Sequence, residues 1–214
     1  MKTQFVCLAN SYKEGGRCLA GIGLENGNPV VQNGKPKWIR PICETVNGEI
    51  PIELVSHIDL LDIVEIDLIS SVSDSYQSEN VLFDTNSIKI TGKFSINNFE
   101  NLCDNSQTVL FGNKGGAVAP ENIELLTNSL RMIKVTKCKV VEKKYGDSSH
   151  QKLRLAFTFA NIAYEIPITD PAFLYDYKWN KNLLTNSPNI FVVVSLGICF
   201  QNWYWKLVAA IFYS

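Results

Sequence analysis

Short runs of alternating apolar and polar residues dominate the first ninety or so positions of the chain. Gln4–Ala9 and Arg17–Leu24 each predict a strand, with a polar turn between them. Leu60–Ile69 is the clearest strand of this half, because its alternation is strict enough to bury one face. A shorter strand is predicted at Ile88–Ile90. This part of the chain is therefore predicted to be β structure.

A second set of strands follows a middle segment of different character. Ser95–Cys103 places a capping serine ahead of apolar residues at helical spacing, which predicts a two-turn helix. Alternation returns at Leu130–Glu142, and Lys152–Phe159 with Ile162–Ile168 predicts a hairpin around Ala160-Asn161. We therefore predict a mainly β fold with a few short helices. Its divisions are residues 1–94, a helical and loop-rich connection at 95–128, and residues 129–214.

The C-terminal segment is strongly apolar. A hydropathy window over residues 190–213 resembles a membrane helix, but Gln201, Asn202 and Lys206 interrupt it and β-branched residues are frequent. We predict instead two buried strands joined near Gln201 and Asn202, and no association with a membrane. The run at 203–206 lies at this joint, where one ring faces the core and its neighbour faces out. Exposed rings there would form a stacking platform.

The composition is that of a folded globular protein and excludes a disordered one. Of the 214 residues, 46% are hydrophobic and 19% charged, and the formal net charge is −1. The charge is uneven, with net +4 over residues 1–40, −10 over 41–110, +3 over 111–150 and +2 over 151–214. The whole molecule therefore does not attract nucleic acid strongly, although a basic face could still bind one.

The six cysteines include no Cys-x-x-Cys pair, and no export signal is predicted at the N-terminus. Free and mostly buried thiols in a reducing cytoplasm are therefore expected. Cys7, Cys18, Cys43 and His57 could form a zinc site, but they lack the paired spacing of zinc-binding motifs. The carboxylates at 62, 65 and 67 are assigned to a solvated strand face. We predict neither a metal site nor a cofactor.

The first candidate binding site is the polar insert between the first two predicted strands. A turn with two adjacent glycines presents free N–H groups beside two cations, which suits an anion such as phosphate. The insert contributes Asn10, Ser11, Lys13, Gly15, Gly16 and Arg17. A solvated hairpin loop without a ligand accounts for the same residues, and this alternative stays open.

Two other groups complete the predicted binding residues. Trp38 and Arg40 share one face of an extended segment, a pair suited to base stacking and phosphate contact. A polar segment further along combines a ring with amide and carboxylate groups that could read a small ligand or a nucleotide edge. Its residues are Tyr76, Gln77, Glu79 and Asn80. A half-buried Trp beside a solvated Arg, and side chains that cap strand ends, are the structural alternatives.

Two features of the second half carry weaker signals. The glycine-rich run at 112–116 lacks the Gly-Lys-Ser/Thr ending of a phosphate-binding loop and the helix that follows one, so that function is rejected. Basic residues of two neighbouring predicted strands could form one surface. These residues are Lys134, Lys137, Lys139, Lys152 and Arg154.

Short motifs follow one another in order along nearly the whole chain. They are Cys7–Ser11 with Gly15–Cys18, Trp38–Pro41, Leu61–Val64, Tyr76–Asn80, Ser129–Leu130, Thr169–Pro171, Val194–Leu196 and Lys206–Ala210. With these motifs the chain resembles a bacterial family described as dual-OB-domain proteins. The resemblance implies two OB-like β-barrels packed together and a role in bacterial defence or in nucleic-acid-linked systems. It carries over no active-site residue.

Three hypotheses about function follow. OB barrels commonly bind oligonucleotides on a strand face between loops, so the leading one is a non-catalytic module that binds nucleic acid, single-stranded in preference, or a nucleotide. The second is a protein-interaction subunit of a larger complex, which suits the acidic middle and the aromatic C-terminus. The third is an enzyme with a cryptic site around Lys13, Arg17, Tyr76 and Glu79. No Ser or Cys has a recognisable nucleophile setting.

Overall fold

The structure is a computed structural model that describes residues 1–72, 76–104, 106–144 and 151–213. The chain folds into two compact units. The first consists of residues 1–104 with 127–129, and the second of residues 105–126 with 130–214. The segment that the sequence predicted as a connection is therefore shared between the two units. The predicted turn at 145–150 and the first residues of the polar segment at 73–80 lie outside the described residues.

The first unit contains a closed β-barrel. Its strands are β1 (Lys2–Lys13), β2 (Gly16–Glu25), β3 (Trp38–Ile42), β4 (Asp62–Ser71), β5 (Asn80–Phe83) and β6 (Lys89–Lys93). The hydrogen-bonding order is β1-β2-β3-β5-β4, and β4 pairs back onto β1, which closes the barrel. Neighbouring strands are antiparallel except for β3 and β5, which run parallel. Strand β6 pairs with β4 outside this circuit.

Apolar residues from each barrel strand fill the interior of the first unit. Phe5 and Cys7 of β1, Leu19 of β2 and Ile66 of β4 belong to this buried core. At Gly21 of β2, a Cβ atom would lie 1.8 Å from a backbone oxygen of β1. The close crossing of β1 and β2 therefore requires glycine at this position.

Short helical segments and small strands complete the first unit. Helix α1 (Ile52–Val55) lies between β3 and β4, and two-residue strands at 28–29, 31–32 and 35–36 lie between β2 and β3. The segment Ile96–Leu102 is a 3₁₀ helix, so a helix lies where the sequence predicted a two-turn helix, with the tighter 3₁₀ geometry.

The second unit repeats the strand order of the first in a more open form. Its strands are β7 (Leu130–Lys144), β8 (Gln151–Phe159), β9 (Ile162–Pro167), β10 (Ile190–Phe200) and β11 (Trp203–Tyr213). Strand β7 pairs with β8 and β10, β8 with β9, and β10 with β11. One parallel bridge between Ile168 and Val208 joins the end of β9 to β11. The result is a half-barrel of mainly antiparallel strands.

Other elements lie around this half-barrel. The segment Leu110–Gly112 is a 3₁₀ turn, Ala117–Val118 pairs with the start of β11, and α2 (Pro120–Ile123) follows. Helix α3 (Pro171–Trp179) lies between β9 and β10, as α1 lies between the third and fourth strands of the first unit. The Asp170 carboxylate begins α3 by accepting a hydrogen bond from the backbone N–H of Phe173 at 3.1 Å.

The two hairpins predicted for the second unit are confirmed. Ala160 and Asn161 form the turn between β8 and β9, and Gln201 and Asn202 form the turn between β10 and β11. All four residues have positive φ, as the two-residue turns of tight hairpins require. Within the described ranges, every helix is too short or too polar to cross a membrane.

Candidate functional site

The polar insert near the N-terminus is mostly strand and not loop. Strand β1 runs to Lys13, which pairs with Gly16, so only Glu14 and Gly15 form the turn. Their φ values are 41° and 82°, so the turn predicted at Gly15 and Gly16 lies one residue earlier, at Glu14 and Gly15. Gly16 does not have a positive φ, and glycine is required there because a side chain would not fit. A Cβ there would lie 2.6 Å from the carbonyl oxygen of Ile50.

Asn10 and Ser11 face the protein. The Asn10 amide donates to the backbone oxygens of Val55 and Ile58, at 2.8 and 2.9 Å, and so holds the end of α1 against β1. The Ser11 side chain is buried. Asn10 therefore has structural partners and Ser11 is buried, and their predicted ligand contact stays a prediction.

The cations of this hairpin have different surroundings. The Arg17 guanidinium lies 4.5 Å from the centre of the Tyr12 ring, which is half exposed. Burial lowers the pKa of Lys13, and the nearby positive charge of Arg40 lowers it further. The tip of the β1–β2 hairpin therefore offers an aromatic ring with a stacked guanidinium, and a lysine close to a second cation.

Arg40 lies in a buried polar network of the first unit. Only 2% of its surface is exposed. Its Nε donates to the Asn80 side-chain oxygen at 2.6 Å, and its Nη2 lies 3.4 Å from the Glu79 carboxylate. The contact between Arg40 Nη2 and the Glu79 carboxylate is therefore an ion pair that lacks hydrogen-bond geometry. The parallel pairing of β3 with β5 brings these side chains together across forty residues of sequence.

The network continues through side-chain amides. Asn80 donates to the side-chain oxygen of Gln77 at 3.1 Å, and Gln77 donates to the Tyr76 hydroxyl at 3.1 Å. Ser129 closes the other end, where its hydroxyl and its backbone N–H both donate to the Glu79 carboxylate. The buried Glu79 charge is thereby compensated by Arg40 and by two neutral donors.

The structure brings together most of the second and third predicted groups. Tyr76, Gln77, Glu79 and Asn80 join Arg40, but they do so as a closed and buried network. Trp38 is also buried, at 7% exposure. Contact with a ligand through these residues would require the network to open. Ser129 is a member that the sequence did not predict, although Ser129–Leu130 is one of the short motifs that carry the family resemblance.

In contrast, the hairpin between β10 and β11 exposes three aromatic rings. Phe200 and Trp203 are direct cross-strand partners, and Trp205 follows on the same face of β11. Their exposed fractions are 62%, 45% and 37%. The Trp205 indole N–H donates to the backbone oxygen of Phe200 at 3.3 Å and so ties the two strands together. These three residues are called the aromatic hairpin below.

Lys206, the next residue after Trp205, is fully buried. Its ammonium donates to the backbone and side-chain oxygens of Asn113, at 2.8 and 2.9 Å, and to the Gly115 backbone oxygen at 2.8 Å. The Tyr164 ring lies 5.4 Å away. Burial lowers the pKa of Lys206 to about 7. In the sequence this lysine stands out only as an interruption of an apolar run.

The glycine-rich run at 112–116 is thus folded around a cation. A phosphate-binding loop points N–H groups inward, whereas this loop points carbonyl oxygens at the Lys206 ammonium. The backbone N–H of Lys206 also donates to the Gly116 oxygen at 2.9 Å. The loop therefore acts as a support for the start of β11, close to the aromatic hairpin.

Charge divides unevenly between the two units. The first unit contains eight Lys or Arg and fourteen Asp or Glu, net −6, and the second contains twelve and seven, net +5. The β7–β8 register places four basic residues on one face, namely Lys139, Lys143, Lys152 and Arg154. Glu165 partly neutralises this face through ion pairs with Lys143 and Arg154, at 2.5 and 2.8 Å.

Two buried thiols and the spacing of possible metal ligands are the other chemical features of the described residues. Burial raises the pKa of Cys7 and raises that of Cys138 to about 12, which keeps both thiols protonated. Across the described ranges, no three His, Cys, Asp or Glu side chains lie close enough together to hold a metal ion.

The shared strand order of the two units is the arrangement of an OB barrel, five strands with the third parallel to the fifth. A sequence model of the dual OB-containing domain family matches residues 3–211. The chain belongs to this family. Two OB-like barrels, as the sequence resemblance implied, are thereby confirmed, the first closed and the second half-open. No curated protein matches the chain.

Among solved structures, this dual OB-containing protein is similar to one titled "Crystal structure of the tetrameric p202 HIN2". The two share 8% sequence identity over 100% of this chain and 91% of that chain, with a TM-score of 0.31. A similarity this remote carries no argument about function.

The OB topology places three groups of candidate residues at connections between strands. OB folds bind ligands beside the loops that join strands one to two and four to five. In the first unit these are the Lys13–Gly16 turn and the segment that ends in Tyr76–Asn80. In the second unit the four-to-five connection is the turn of the aromatic hairpin. The one-to-two connection of the second unit lies outside the described residues.

Proposed function

We propose that this dual OB-containing protein is a non-catalytic module that binds single-stranded nucleic acid. The observation that carries the proposal is the aromatic hairpin, where Phe200, Trp203 and Trp205 expose rings on one face at the four-to-five connection of an OB unit. Unpaired bases stack on such rings whatever their sequence, and each stacked base contributes about 1–3 kcal/mol. A duplex buries the same base faces and has none to offer.

The charge of the second unit supports the same proposal. Its net charge of +5 favours a polyanion, whereas the first unit at net −6 does not. Phosphate contacts from the basic face of β7 and β8 would position the strand, and the aromatic hairpin would hold its bases. Binding is then expected to weaken as the salt concentration rises.

The β1–β2 hairpin is the proposed second contact. Tyr12 with its stacked Arg17 is a smaller platform of the same kind, and Lys13 lies next to the turn. Replacing Lys13 and Arg17 by alanine is expected to reduce affinity less than loss of the aromatic hairpin, because only one ring is exposed here. A non-catalytic role agrees with Tyr76 and Glu79 lying in the buried network of the first unit.

A protein-interaction subunit is the second candidate. It is favoured by Tyr175 and Trp179, which are exposed one helical turn apart on α3, an element separate from the aromatic hairpin. A role in bacterial defence is a further proposal that rests on the sequence resemblance alone.

Fluorescence anisotropy with labelled DNA and RNA, each single- and double-stranded, tests the first candidate. We expect the full chain to bind single strands more tightly than duplexes at low salt, with affinity that falls as salt is added. Failure to bind any of the four probes at low salt would contradict the proposal. Equal binding of single strands and duplexes would remove the role of base stacking. Salt-insensitive capture of a protein would favour the second candidate.

A further inference from the structure

One carboxylate, that of Glu165, lies on the basic face of β7 and β8. The strand register places four cations on this face, namely Lys139, Lys143, Lys152 and Arg154. Glu165 of β9 is the direct partner of Ala156, which is itself the partner of Lys139, so its side chain projects from the same face. Four cations against one carboxylate give this face a net charge of +3.

Two of these cations meet the same oxygen atom of Glu165. The Lys143 ammonium lies 2.5 Å from Oε1, and the Arg154 Nε lies 2.8 Å from it. The hydrogen bond from Lys143 holds the pKa of Glu165 below its usual value, so the carboxylate stays charged near neutral pH. The position of Oε1 is therefore the point at which this face binds an anionic oxygen.

Arg154 is held at this point by a second bond that does not involve the carboxylate. Its Nη2 donates to the backbone oxygen of Glu165 at 2.7 Å, and any residue at this position could accept that bond. The guanidinium is planar, with its donors in a fixed fork, so holding Nη2 also fixes the direction of the Nε–H group. The Nε–H group would stay aimed at the same point if the carboxylate moved away.

The surroundings leave room for the carboxylate to move and for a ligand to approach. The Glu165 side chain is 34% exposed. Its neighbours on the same face of β8 and β9 are Ala156, directly opposite, and Ala163, two residues earlier. Neither alanine is large enough to block another rotamer of the glutamate or an approaching anion.

The cations favour a ligand with more negative charge than one carboxylate. Lys143 and Lys152 are direct partners across β7 and β8, and like charges in this arrangement repel each other. An anion bound beside them reduces this repulsion. A nucleic-acid strand carries one phosphate in each nucleotide, so it can contact several cations of the face at once.

We propose that the point where Lys143 and Arg154 meet is a phosphate site, and that Glu165 occupies it until a backbone phosphate of a bound single strand takes its place. The proposal rests on the function proposed above, because the strand supplies the phosphate. Glu165 is then a competitor within the chain, and its carboxylate lowers the affinity of the second unit for nucleic acid.

Fluorescence anisotropy with a labelled single strand tests the competition. Glu165→Gln removes the charge and keeps the shape, and it is expected to bind about two- to tenfold more tightly than the parent. Glu124→Gln is the matched control, because it removes one charge from an exposed carboxylate of the same unit that lies beyond α2 and outside the basic face. Its affinity should stay close to that of the parent.

Lys143→Met tests whether the phosphate and Glu165 share one site. Alone, it is expected to weaken binding and to lower the salt dependence of the affinity by about one phosphate contact. In the Lys143→Met background, Glu165→Gln should raise the affinity less than it does in the parent, because one of the two cations that the carboxylate engages is gone. A general effect of charge would raise the affinity equally in both backgrounds.

The outcomes separate this proposal from the proposed function. With single-strand binding by the parent in place and folding confirmed by circular dichroism, the phosphate site is overturned by equal affinity of the parent and Glu165→Gln, by an equal gain in Glu124→Gln, or by an equal gain in both backgrounds. Absence of binding by both the parent and Glu165→Gln would overturn the proposed function as well. Inorganic phosphate added at constant ionic strength is expected to leave the strand bound. Displacement by it would assign the site to free phosphate and overturn the contact with the strand.

Discussion

The two OB units have the same strand order but use the connection between their fourth and fifth strands in opposite ways. In the first unit this connection ends in Tyr76–Asn80, where every side chain except that of Ser78 is buried and Glu79 and Asn80 contact Arg40. In the second it is a two-residue turn that leaves three rings outside. Position on a fold therefore does not decide whether a loop is a site. What matters is whether the side chains of the loop are bonded within the fold or are left exposed to a ligand.

The units also differ in how they hold a buried cation. In the first unit Arg40 faces a carboxylate, so the opposite charges of the pair compensate each other. In the second unit the Lys206 ammonium meets only neutral oxygens, from Asn113 and Gly115. A buried guanidinium stays charged with or without a carboxylate beside it, but a buried ammonium that meets only neutral oxygens can lose its proton.

The largest expected effect on stability is in the first unit. Glu79→Ala leaves Arg40 buried without its counter-charge and Ser129 without its acceptor. We expect a loss of about 3–5 kcal/mol in the free energy of unfolding, the usual cost of removing one partner of a buried pair. Urea denaturation measures it. Glu44→Ala, at an exposed carboxylate of the same unit, should change little. A loss below about 1 kcal/mol would mean that the network is not closed.

The matching change in the second unit is Lys206→Met. It removes the hydrogen-bond donor of three oxygens in the 112–116 loop. We expect the free energy of unfolding to fall by about 2–4 kcal/mol, and not by more, because solvent can reach part of this loop. Urea denaturation again measures it, with Lys178→Met on α3 as the exposed control. An unchanged free energy of unfolding would contradict the support role given to this lysine.

The two cations should also differ in their response to pH. Burial lowers the pKa of Lys206 to about 7, whereas a lysine in the unfolded chain titrates near 10.4. The unfolded chain therefore binds more protons between these values, and the free energy of unfolding should rise with pH from about 7 to about 10. Comparing unfolding curves of the parent and Lys206→Met isolates this slope. A parent and variant with the same pH dependence would contradict it.

The smallest expected effect concerns the hairpin turns. Ala160 has a φ of 46°, a conformation that costs a residue with a Cβ about 1–2 kcal/mol. Ala160→Gly should therefore stabilise the second unit by up to about 1 kcal/mol, whereas Gly15→Ala should destabilise the first by about the same amount. Thermal unfolding measures both. If both substitutions moved the unfolding temperature in the same direction, the claim that both turns favour glycine would be contradicted.

The strand pattern was largely readable from the sequence. The hairpin turns at Gly15, Ala160-Asn161 and Gln201-Asn202 lie where turn chemistry and apolar alternation placed them. Helix α3 was not predicted, although Asp170 followed by Pro171 is a helix-start signal. The many aromatic residues after Pro171 obscured that signal, because aromatic residues favour strands on average.

The candidate site was less readable, because it depends on long-range pairing. Nothing local in the sequence shows that β3 and β5 run side by side, so the hydrogen bond from Arg40 to Asn80 and its ion pair with Glu79 could not be foreseen. The ring platform at residues 203–206 was foreseen in part. The register shows Trp203 and Trp205 on one face and Lys206 on the other, buried, face. One lysine in an apolar strand was the available signal.

The most direct test of the account is the affinity for a labelled single strand of the parent, of the double variant Trp203→Ala with Trp205→Ala, and of Trp179→Ala. Trp179 is the control because it is an exposed tryptophan of the same unit outside the aromatic hairpin. We expect the double variant to lose about 2–6 kcal/mol of binding, at least about thirtyfold, and Trp179→Ala to bind as the parent does. Equal affinity of all three proteins, with folding confirmed by circular dichroism, would contradict the central claim.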